Sequence, residues 1–281
     1  MSETIVVGVT GAPAARRAVD WAVDRAAHHR NHRVELVSVV GGAIGTVGEG
    51  AVMDVVLDAT NRMLQDEADR VSGSGVPVTT RVDAGNPVTT LAQASEKAEL
   101  LVIGSDYRGP DSGPARGAHG IRIVAASHCP VVVVPDIEIH DRRGVVVGVD
   151  GSPVSEGAIK FAAAEADRLG EPLTAVCVWT PVVTPRTAPM VYPDLYLANM
   201  QRAAEERLAL SLAGLRSQYP DLVIEEKAVQ GYPSEVINEL AATAKLAVIG
   251  THGRNALTRF LLGSVSHEVL QRLATVTVVT R

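Results

Sequence analysis

Short runs of Val, Ile and Leu recur along the chain and alternate with longer stretches that mix apolar and polar residues. In the C-terminal half these runs predict strands near Val145–Val149, Leu173–Val178, Val223–Val229, Leu246–Ile249 and Val276–Val279. Four of these runs contain no charged residue, as strands do when both faces of a parallel sheet are covered, whereas Val223–Val229 includes Glu225, Glu226 and Lys227. The mixed stretches between them have helical composition, so strands and helices are expected to alternate.

Two of the intervening stretches carry specific helix signals. Ser152 suits an N-cap and Pro153 the first helical position, with Glu156 in the first turn. The longest helix is expected around Leu195–Ser217, which is rich in Ala, Leu, Glu and Arg. Alternation of this kind predicts an α/β fold with a doubly wound parallel sheet and right-handed crossovers.

The sequence repeats itself once. Ile-Val-Val-Gly-Val beginning at Ile5 returns as Val-Val-Val-Gly-Val beginning at Val145, and Leu-Val-Ile-Gly-Ser beginning at Leu101 returns as Ala-Val-Ile-Gly-Thr beginning at Ala247. The offset grows from 140 residues (5 to 145) to 146 (101 to 247), so the second copy carries about six extra residues. We expect them in the Pro-rich stretch Thr180 to Pro193.

The length fits this duplication, because 281 residues divide into two domains of about 140 residues each. We predict two tandem five-stranded domains, residues 1–135 and 144–281. The polar stretch from Pro135 to Gly144 is the expected linker.

Composition narrows the classes of partner and compartment. The formal charge of −6 argues against nucleic acid as the main partner. The first residues, Met1–Ile5, lack a signal-peptide pattern, and no apolar run reaches the roughly 18–20 residues that span a bilayer. Two cysteines, Cys129 and Cys177, are too few for a disulfide framework and are expected to be buried thiols. A cytoplasmic protein without membrane insertion is expected.

The connection after the fourth strand of the second copy is unusually long and rich in glycine. Gly250 and Gly253 are expected to allow positive φ and close approach of backbone N–H groups to a ligand. Gly263 and Ser264 then open a helix whose N-terminal amides favour a phosphate. The hydroxyls of Ser264 and Ser266 are candidate additional donors, and Arg254 is a candidate positive charge.

These residues carry a resemblance to a known family. The spacing Gly250, two residues, Gly253, nine residues, Gly263, Ser264 is similar to that of universal stress proteins of the ATP-binding type. The likeness extends over both halves, so the chain resembles a tandem protein of that family. The resemblance implies two Rossmann-like domains of the adenine nucleotide alpha hydrolase type, with ATP, together with Mg²⁺, as the cofactor of the C-terminal one.

The resemblance also implies roles for individual residues of the C-terminal domain. Asp150 would lie beside the nucleoside and the metal-bound phosphates, and the backbone of Val178 would recognise adenine. The ribose and phosphates would be lined or held by the following residues: Gly250, Gly253, Gly263, Ser264, Val265 and Ser266. Because the acid follows the first strand and the loop follows the fourth, these two strands are expected to be neighbours.

The N-terminal copy departs from this pattern at three matching positions. Thr10 replaces the acid, Tyr107 replaces the second glycine and Ala118 replaces the serine. Each change acts against a bound nucleotide, so we expect one ATP per chain. The alternative is that both domains bind ATP, the first more weakly.

The resulting function is an ATP-dependent regulator or signalling protein in stress response or growth control, with an unknown regulatory protein as partner. We expect no enzymatic activity beyond slow ATP hydrolysis. A nucleotide-free interaction scaffold, a true ATPase or adenylyl-transferring enzyme of related fold, and a cyclic AMP or AMP binder are the alternatives. By resemblance, pairing of the last strands, Val131–Val134 and Val276–Val279, would join the two halves, and a homodimer is expected.

A histidine-rich segment raises a second kind of chemistry. His28, His29 and His32 lie near Arg30 and Arg33 at the expected end of the first helix. Because no Cys or carboxylate is expected to complete a ligand set, we interpret them as solvated cations at a helix C-terminus and not as a metal site.

Overall fold

The computed structural model describes residues 3–29, 31–41, 49–109, 113, 118–182, 192–253 and 262–281. The chain divides into two compact units, Met1–Ile137 and Glu138–Arg281. The division falls inside the stretch expected as the linker.

Each unit alternates strands and helices in the expected order, with an extra helical turn after its longest helix. The N-terminal unit contains β1(Glu3–Gly8), α1(Pro13–Ala27), β2(His32–Val40), α2(Glu49–Val71), a 3₁₀ turn (Ser72–Ser74), β3(Val78–Ala84), α3(Pro87–Ser95), β4(Leu100–Ser105), α4(Ala118–Ala126) and β5(Val131–Pro135). The C-terminal unit contains β6(Val145–Gly148), α5(Pro153–Leu169), β7(Leu173–Trp179), α6(Asp194–Ser211), α7(Leu215–Gln218), β8(Ile224–Gln230), α8(Pro233–Ala241), β9(Leu246–Gly250), α9(Ser264–Gln271) and β10(Val276–Thr280).

The strands of each unit are parallel and follow the same spatial order. That order is β3-β2-β1-β4-β5 in the N-terminal unit and β8-β7-β6-β9-β10 in the C-terminal unit. The first and fourth strands are neighbours in both, with Ile5 opposite Leu100 and Val145 opposite Leu246. The prediction of two doubly wound parallel five-stranded sheets is therefore confirmed.

The interiors of the central strands are buried because helices cover both faces of each sheet, whereas β3 and β8 carry exposed residues such as Thr79 and Glu225. Val145, Val147, Leu173 and Ala175 are fully buried, as the uninterrupted apolar runs predicted. Helix α5 packs on its sheet through alanines, four of which are fully buried. Small helical residues let backbone and strand approach closely, which is how a chain with only 3% aromatic residues fills its core.

Helix boundaries follow local signals in one case and depart from the prediction in another. Ser152 caps α5, and its hydroxyl accepts a hydrogen bond from the Ser155 amide at 3.1 Å. The single helix expected around Leu195–Ser217 is wrong, because the chain forms α6 and the short α7 with Gly214 between them at φ +85°. Glycine adopts this left-handed conformation without the strain of a Cβ atom, so it ends one helix and begins the next.

Cys129 and Cys177 are both buried and form no disulfide, as expected. Across the described ranges, no helix has the length and apolar character needed to cross a bilayer.

Candidate functional site

The C-terminal unit holds a cavity of about 440 Å³ at the carboxyl ends of β6, β7 and β9. Open parallel sheets bind ligands at this edge, beside the point where strand order reverses, and the volume lies in the range of small-molecule sites. Eight predicted site residues line it: Asp150, Val178, Gly250, Gly253, Gly263, Ser264, Val265 and Ser266. The ninth, Arg254, lies outside the described residues.

The acid and the glycine loop meet in this cavity. Asp150 follows β6, and its Oδ1 accepts a hydrogen bond from the Ser152 amide at 2.9 Å, which orients the carboxylate. The other oxygen, Oδ2, faces the loop after β9, since a Cβ atom added to Gly253 would lie only 2.8 Å from it. The carboxylate is thus held close to the Gly253 backbone, and a side chain at position 253 would force the two apart.

The glycines serve a different purpose from the one predicted. Gly250, Gly253 and Gly263 do not adopt positive φ. Gly250 is instead required by close packing, because an added Cβ would approach the Val154 side chain of α5 to 2.8 Å. At Gly263 an added Cβ would meet the carbonyl oxygen of Thr251 at 3.2 Å. The expectation of positive φ is wrong, and the absence of a Cβ atom is what the site uses.

The first turn of α9 supplies hydrogen-bond donors to the cavity. Gly263 is the N-cap, with φ −64° and ψ 156°, and its carbonyl accepts the first helical bond from the His267 amide at 2.9 Å. The amides of Ser264, Val265 and Ser266 come before that bond, and no described residue accepts a hydrogen bond from them. Three converging N–H groups at a helix N-terminus form an anion-binding arrangement.

Ser266 contributes in another way than expected. Its hydroxyl donates to the carbonyl oxygen of Gly250 at 2.6 Å, and the residue is buried. Because a hydroxyl has one proton to donate, Ser266 ties the start of α9 to the end of β9 and does not offer that proton to a ligand. Ser264 is exposed, and its hydroxyl is the one that remains available.

The apolar side of the cavity lies at the end of β7. This strand runs past the end of β6, where the Val149 amide donates to the carbonyl of Val176 at 2.8 Å. The Leu173 amide donates to the carbonyl of Val223, on the side of β7 that faces β8. Backbone groups alternate sides along a parallel strand, and Val178 lies five residues after Leu173, so the N–H and C=O of Val178 point toward the β6 side. No described residue bonds to them there. They can therefore recognise the edge of a planar heterocycle.

Several lining residues were not predicted. Val176, Ile249 and Ile237 form apolar walls, Pro233 begins α8, and Ser155 and His252 add polar atoms. The apolar strand ends gave a sequence signal, because residues at the carboxyl ends of central parallel strands border the ligand edge. Ile237 gave none, since only the packing of α8 beside β6 brings it to the cavity.

His252 has its pKa lowered by burial first and by the positive charge of Arg281 second. The ring is therefore neutral near pH 7. Its Nε2 is buried and has no hydrogen-bond partner among the residues that the structure describes. No described carboxylate orients this ring, which argues against its use as a general base.

The matching positions of the N-terminal unit have different surroundings. Thr10 replaces the carboxylate and is exposed, with its Oγ1 accepting from the Ala12 amide at 3.4 Å. Tyr107 is buried, and its carbonyl accepts the Asp136 amide at 2.9 Å. A buried aromatic ring thus stands where the C-terminal unit has the glycine beside Asp150. Ala118 begins α4.

Comparison with known proteins decides the family. The sequence pattern of the universal stress protein family matches this chain twice, over residues 1–135 and 142–281. The chain belongs to the universal stress protein family. It is a tandem member, because the two matches together span nearly its whole length.

Universal stress proteins of similar length occur in mycobacteria. The chain is 34% identical over 295 residues to universal stress protein Rv1996 of Mycobacterium tuberculosis, covering 95% of this chain and 91% of that protein. It is 33% identical over 290 residues to universal stress protein Rv2005c of the same organism, covering 99% and 96%. Among solved structures, a universal stress protein from Archaeoglobus fulgidus superposes with a TM-score of 0.74 at 16% identity, covering 100% of this chain and 97% of that one. The last comparison supports the fold alone.

Proposed function

We propose that the C-terminal unit binds ATP, together with Mg²⁺, and that the bound nucleotide acts as an effector and not as a fuel. The observation that carries this proposal is the convergence, in one cavity, of a carboxylate, a glycine backbone and three helix N-terminal amides. An anion with several negative oxygens and a coordinated cation suits this combination of donors and acid.

For the base, the phosphates and the bound cation of an adenine nucleotide, the cavity offers residues of matching chemistry. The free N–H and C=O of Val178 suit the hydrogen-bonding edge of adenine, and the apolar side chains of Val176 and Ile237 suit its faces. The amides of the α9 first turn suit the phosphate tail. Asp150 suits an Mg²⁺ ion, because magnesium is commonly held by one or two carboxylates together with substrate phosphates.

The side chains of the cavity favour regulation over catalysis. Among its described lining residues, the Ser155 and Ser266 hydroxyls each donate to main-chain carbonyls, at 3.0 and 2.6 Å. His252 is neutral near pH 7 and has no orienting carboxylate within the described chain. The Ser264 hydroxyl remains available, but no described base is hydrogen-bonded to it. A nucleophile activated by a positioned base is therefore lacking among these residues, and turnover much slower than about 1 per second is expected.

The two units then have different tasks. The N-terminal unit, with Thr10, Tyr107 and Ala118 at the matching positions, is a nucleotide-free interaction domain, and the C-terminal unit reports on the nucleotide. Such a chain works in the cytoplasm as a regulator in stress response or growth control. It acts as a homodimer on a protein partner. ATP binding shifts the population of its surface conformations, and the partner binds one of them better.

Counting bound nucleotide tests the proposal directly. Full-length protein is saturated with ATP and Mg²⁺, freed of excess ligand and denatured, and the released nucleotide is quantified per chain. A ratio near one supports one site per chain. A ratio near zero sinks ATP binding and leaves the interaction scaffold, and a ratio near two contradicts the degenerate N-terminal site.

Competition then decides between related ligands. ATP, AMP and cyclic AMP are compared in calorimetric titrations with and without Mg²⁺. Tighter binding of ATP, and a further gain with Mg²⁺, is expected because only ATP presents a phosphate chain to both Asp150 and the α9 amides. Equal or tighter binding of AMP or cyclic AMP would contradict ATP as the ligand.

A further inference from the structure

A cluster of three ionisable side chains lies in the N-terminal unit at the amino ends of strands β1, β2 and β4. His32 Nε2 lies 2.8 Å from Glu3 Oε2 and 3.3 Å from Glu99 Oε2. Glu3 and His32 are direct partners in the β1–β2 register, and Glu99 immediately precedes β4. One donor atom from each side chain lies within 4.8 Å of the other two. We call these residues the amino-edge triad.

The triad contains buried polar atoms without hydrogen-bond partners. The His32 side chain is only 4% exposed. Its Nδ1 and the Oε2 atom of Glu99 are two of the four buried side-chain polar atoms in the described chain that have no hydrogen bond. Buried polar groups without a partner are rare in native proteins, and a bound ion is one explanation for such a group. It applies here to Glu99 Oε2, which lies 3.3 Å from His32 Nε2, and not to Nδ1, which is on the other side of the imidazole ring.

This finding corrects the sequence interpretation of the histidines. The expectation was that no carboxylate completes a ligand set around His28, His29 and His32. Two carboxylates do so for His32, but they come from the starts of two other strands. His28 takes no part, since its Nδ1 contacts the carbonyl of Asp24 at 2.8 Å. His29 stacks on the His32 ring at 4.4 Å between centroids and covers it.

The C-terminal unit offers a natural comparison at the same position of its sheet. Counting back along the strand registers, Arg143, Glu171 and Lys245 stand where Glu3, His32 and Glu99 stand in the N-terminal unit. There the charges are inverted. Lys245 Nζ lies 2.6 Å from Glu171 Oε1, and the Gly144 amide donates to Glu171 Oε2 at 2.9 Å. A central acid between two bases needs no ion. In the amino-edge triad the two acids outnumber the one guanidinium beside them, that of Arg25, which pairs with Glu99.

We propose that the amino-edge triad binds a divalent transition-metal ion of the Zn²⁺ class through His32 Nε2 and one carboxylate oxygen each of Glu3 and Glu99. Imidazole nitrogen and carboxylate oxygen are common zinc ligands, at about 2.0–2.2 Å from the ion. Ligands at that distance in tetrahedral geometry stand about 3.4 Å apart. The observed separations of 2.8 Å from His32 to Glu3 and 3.3 Å from His32 to Glu99 are close to that value, and the Glu3 side chain, which is 58% exposed, has room to adjust. The oxygens of Glu3 and Glu99 lie within 4.8 Å of each other.

Arg25 is compatible with this site. Its guanidinium lies 3.1 Å from Glu99 Oε1, so it takes the carboxylate oxygen that does not face His32. A ligating carboxylate that is also hydrogen-bonded to a neighbour is oriented by it, as outer-shell partners do in metal sites.

Zinc titration of chelator-treated, full-length protein in the absence of nucleotide tests the proposal. Isothermal calorimetry is expected to show one equivalent of Zn²⁺ bound with micromolar or tighter affinity. His32→Gln and, separately, Glu3→Gln are each expected to weaken that binding at least tenfold. Glu3 is exposed, so its variant keeps the fold even where His32→Gln does not. Zn²⁺ is also expected to raise the midpoint of thermal unfolding of the parent protein and not of Glu3→Gln.

His140→Gln is the matched control. It removes the imidazole of an exposed histidine–carboxylate pair, His140 with Glu138 at 3.1 Å, which belongs to no group of three candidate ligands among the described residues. Unchanged zinc affinity is expected for this variant. Two results would overturn the proposal: absence of saturable zinc binding to the parent protein, or binding by Glu3→Gln and His32→Gln that equals the parent's. Either result would mean that the triad is a proton-bridged ion-pair cluster only.

Discussion

The two units of this chain have the same strand order and the same register between first and fourth strands, yet they differ at both edges of their sheets. At the carboxyl edge, Thr10 and Tyr107 of the N-terminal unit occupy the positions that Asp150 and Gly253 occupy in the C-terminal unit. At the amino edge, the C-terminal unit has Glu171 between two bases, and the N-terminal unit has His32 between two acids at the same position. The interiors of the central strands in both units are buried apolar residues, mostly Val, Leu, Ile and Ala.

This pattern follows from where each kind of residue acts. Interior residues must fill a close-packed layer between helices, so little besides apolar groups of similar volume fits there. Residues at strand ends border loops and solvent, and they change without disturbing that layer. Duplicated α/β units therefore keep one fold while their edges acquire separate chemistry.

The largest expected effect comes from giving the C-terminal unit the tyrosine of the N-terminal one. In Gly253→Tyr the Cβ atom alone would stand 2.8 Å from Asp150 Oδ2, and the ring would occupy cavity space beside it. ATP affinity is expected to fall 100-fold or more, equivalent to about 2.7 kcal/mol. Calorimetric titration of ATP with Mg²⁺ measures this loss.

Gly73→Tyr is the matched control for that variant. Gly73 is exposed, and an added Cβ there meets no heavy atom within 4 Å. Its ATP affinity is expected to equal the parent's. Retention of ATP affinity within about threefold by Gly253→Tyr would mean that Tyr107 does not explain the loss of binding expected for the N-terminal unit.

The amino edges are compared next, through Lys245→Met. This change removes the ammonium 2.6 Å from Glu171, whose side chain is only 8% exposed. Breaking a fully buried pair costs about 3–5 kcal/mol, but Lys245 is 35% exposed and solvent screens it, so we expect a loss of about 1–2 kcal/mol. Urea denaturation at pH 7 measures it. Lys227→Met, which removes the same charge from the exposed pair with Glu225, is expected to change stability by less than about 0.5 kcal/mol.

The pH dependence of this pair has a definite sign. Burial by itself raises the pKa of Glu171, but the hydrogen bonds from Lys245 and Gly144 and the charge of Arg143 lower it more, to a net value below 4.5. A carboxyl group whose pKa is depressed on folding stabilises the protein above its unfolded pKa and ceases to do so as the pH falls through its folded pKa. The difference between parent and Lys245→Met should thus shrink below about pH 4.5. A difference that stays constant down to pH 3 would contradict the ion-pair explanation.

Sequence patterns predicted the parts of this molecule that depend on local order along the chain. The five predicted strands of the C-terminal unit lie within one residue of the observed bounds at each end. For all but the partly exposed β8, this is because apolar, mostly β-branched runs and buried strands coincide. The cap of α5 at Ser152 and the adjacency of β6 and β9 followed from turn chemistry and from fold topology.

What the sequence did not predict depends on contacts between distant segments. The glycine spacing marked Gly253, but it did not show that Asp150 is the group that a Cβ atom there would meet. The amino-edge triad joins the starts of three strands and leaves no spacing signal in the chain. The hydroxyl of Ser266 has a partner, the Gly250 carbonyl, that only the path of the loop after β9 brings near.

The smallest expected effects separate the amides of α9 from its hydroxyls. Ser266→Ala removes the 2.6 Å hydrogen bond to Gly250 and leaves that carbonyl without its donor, which should cost about 1 kcal/mol of stability. Looser attachment of the loop should weaken ATP binding about fivefold, or about 1 kcal/mol.

Ser264→Ala removes an exposed hydroxyl and keeps its amide, so stability within about 0.5 kcal/mol and ATP affinity within about twofold of the parent are expected. Urea denaturation and calorimetry measure the two quantities for each variant.

The serine pair also bears on the N-terminal unit, because Ala118 stands where Ser264 does. If Ser264→Ala binds ATP nearly as well as the parent, an alanine at this position does not disable a nucleotide site, since the helix amides remain. The loss expected for the N-terminal unit then rests on Thr10 and Tyr107. A loss of more than tenfold in Ser264→Ala would instead make the hydroxyl a principal phosphate ligand, and Ala118 alone would be enough to weaken the N-terminal site.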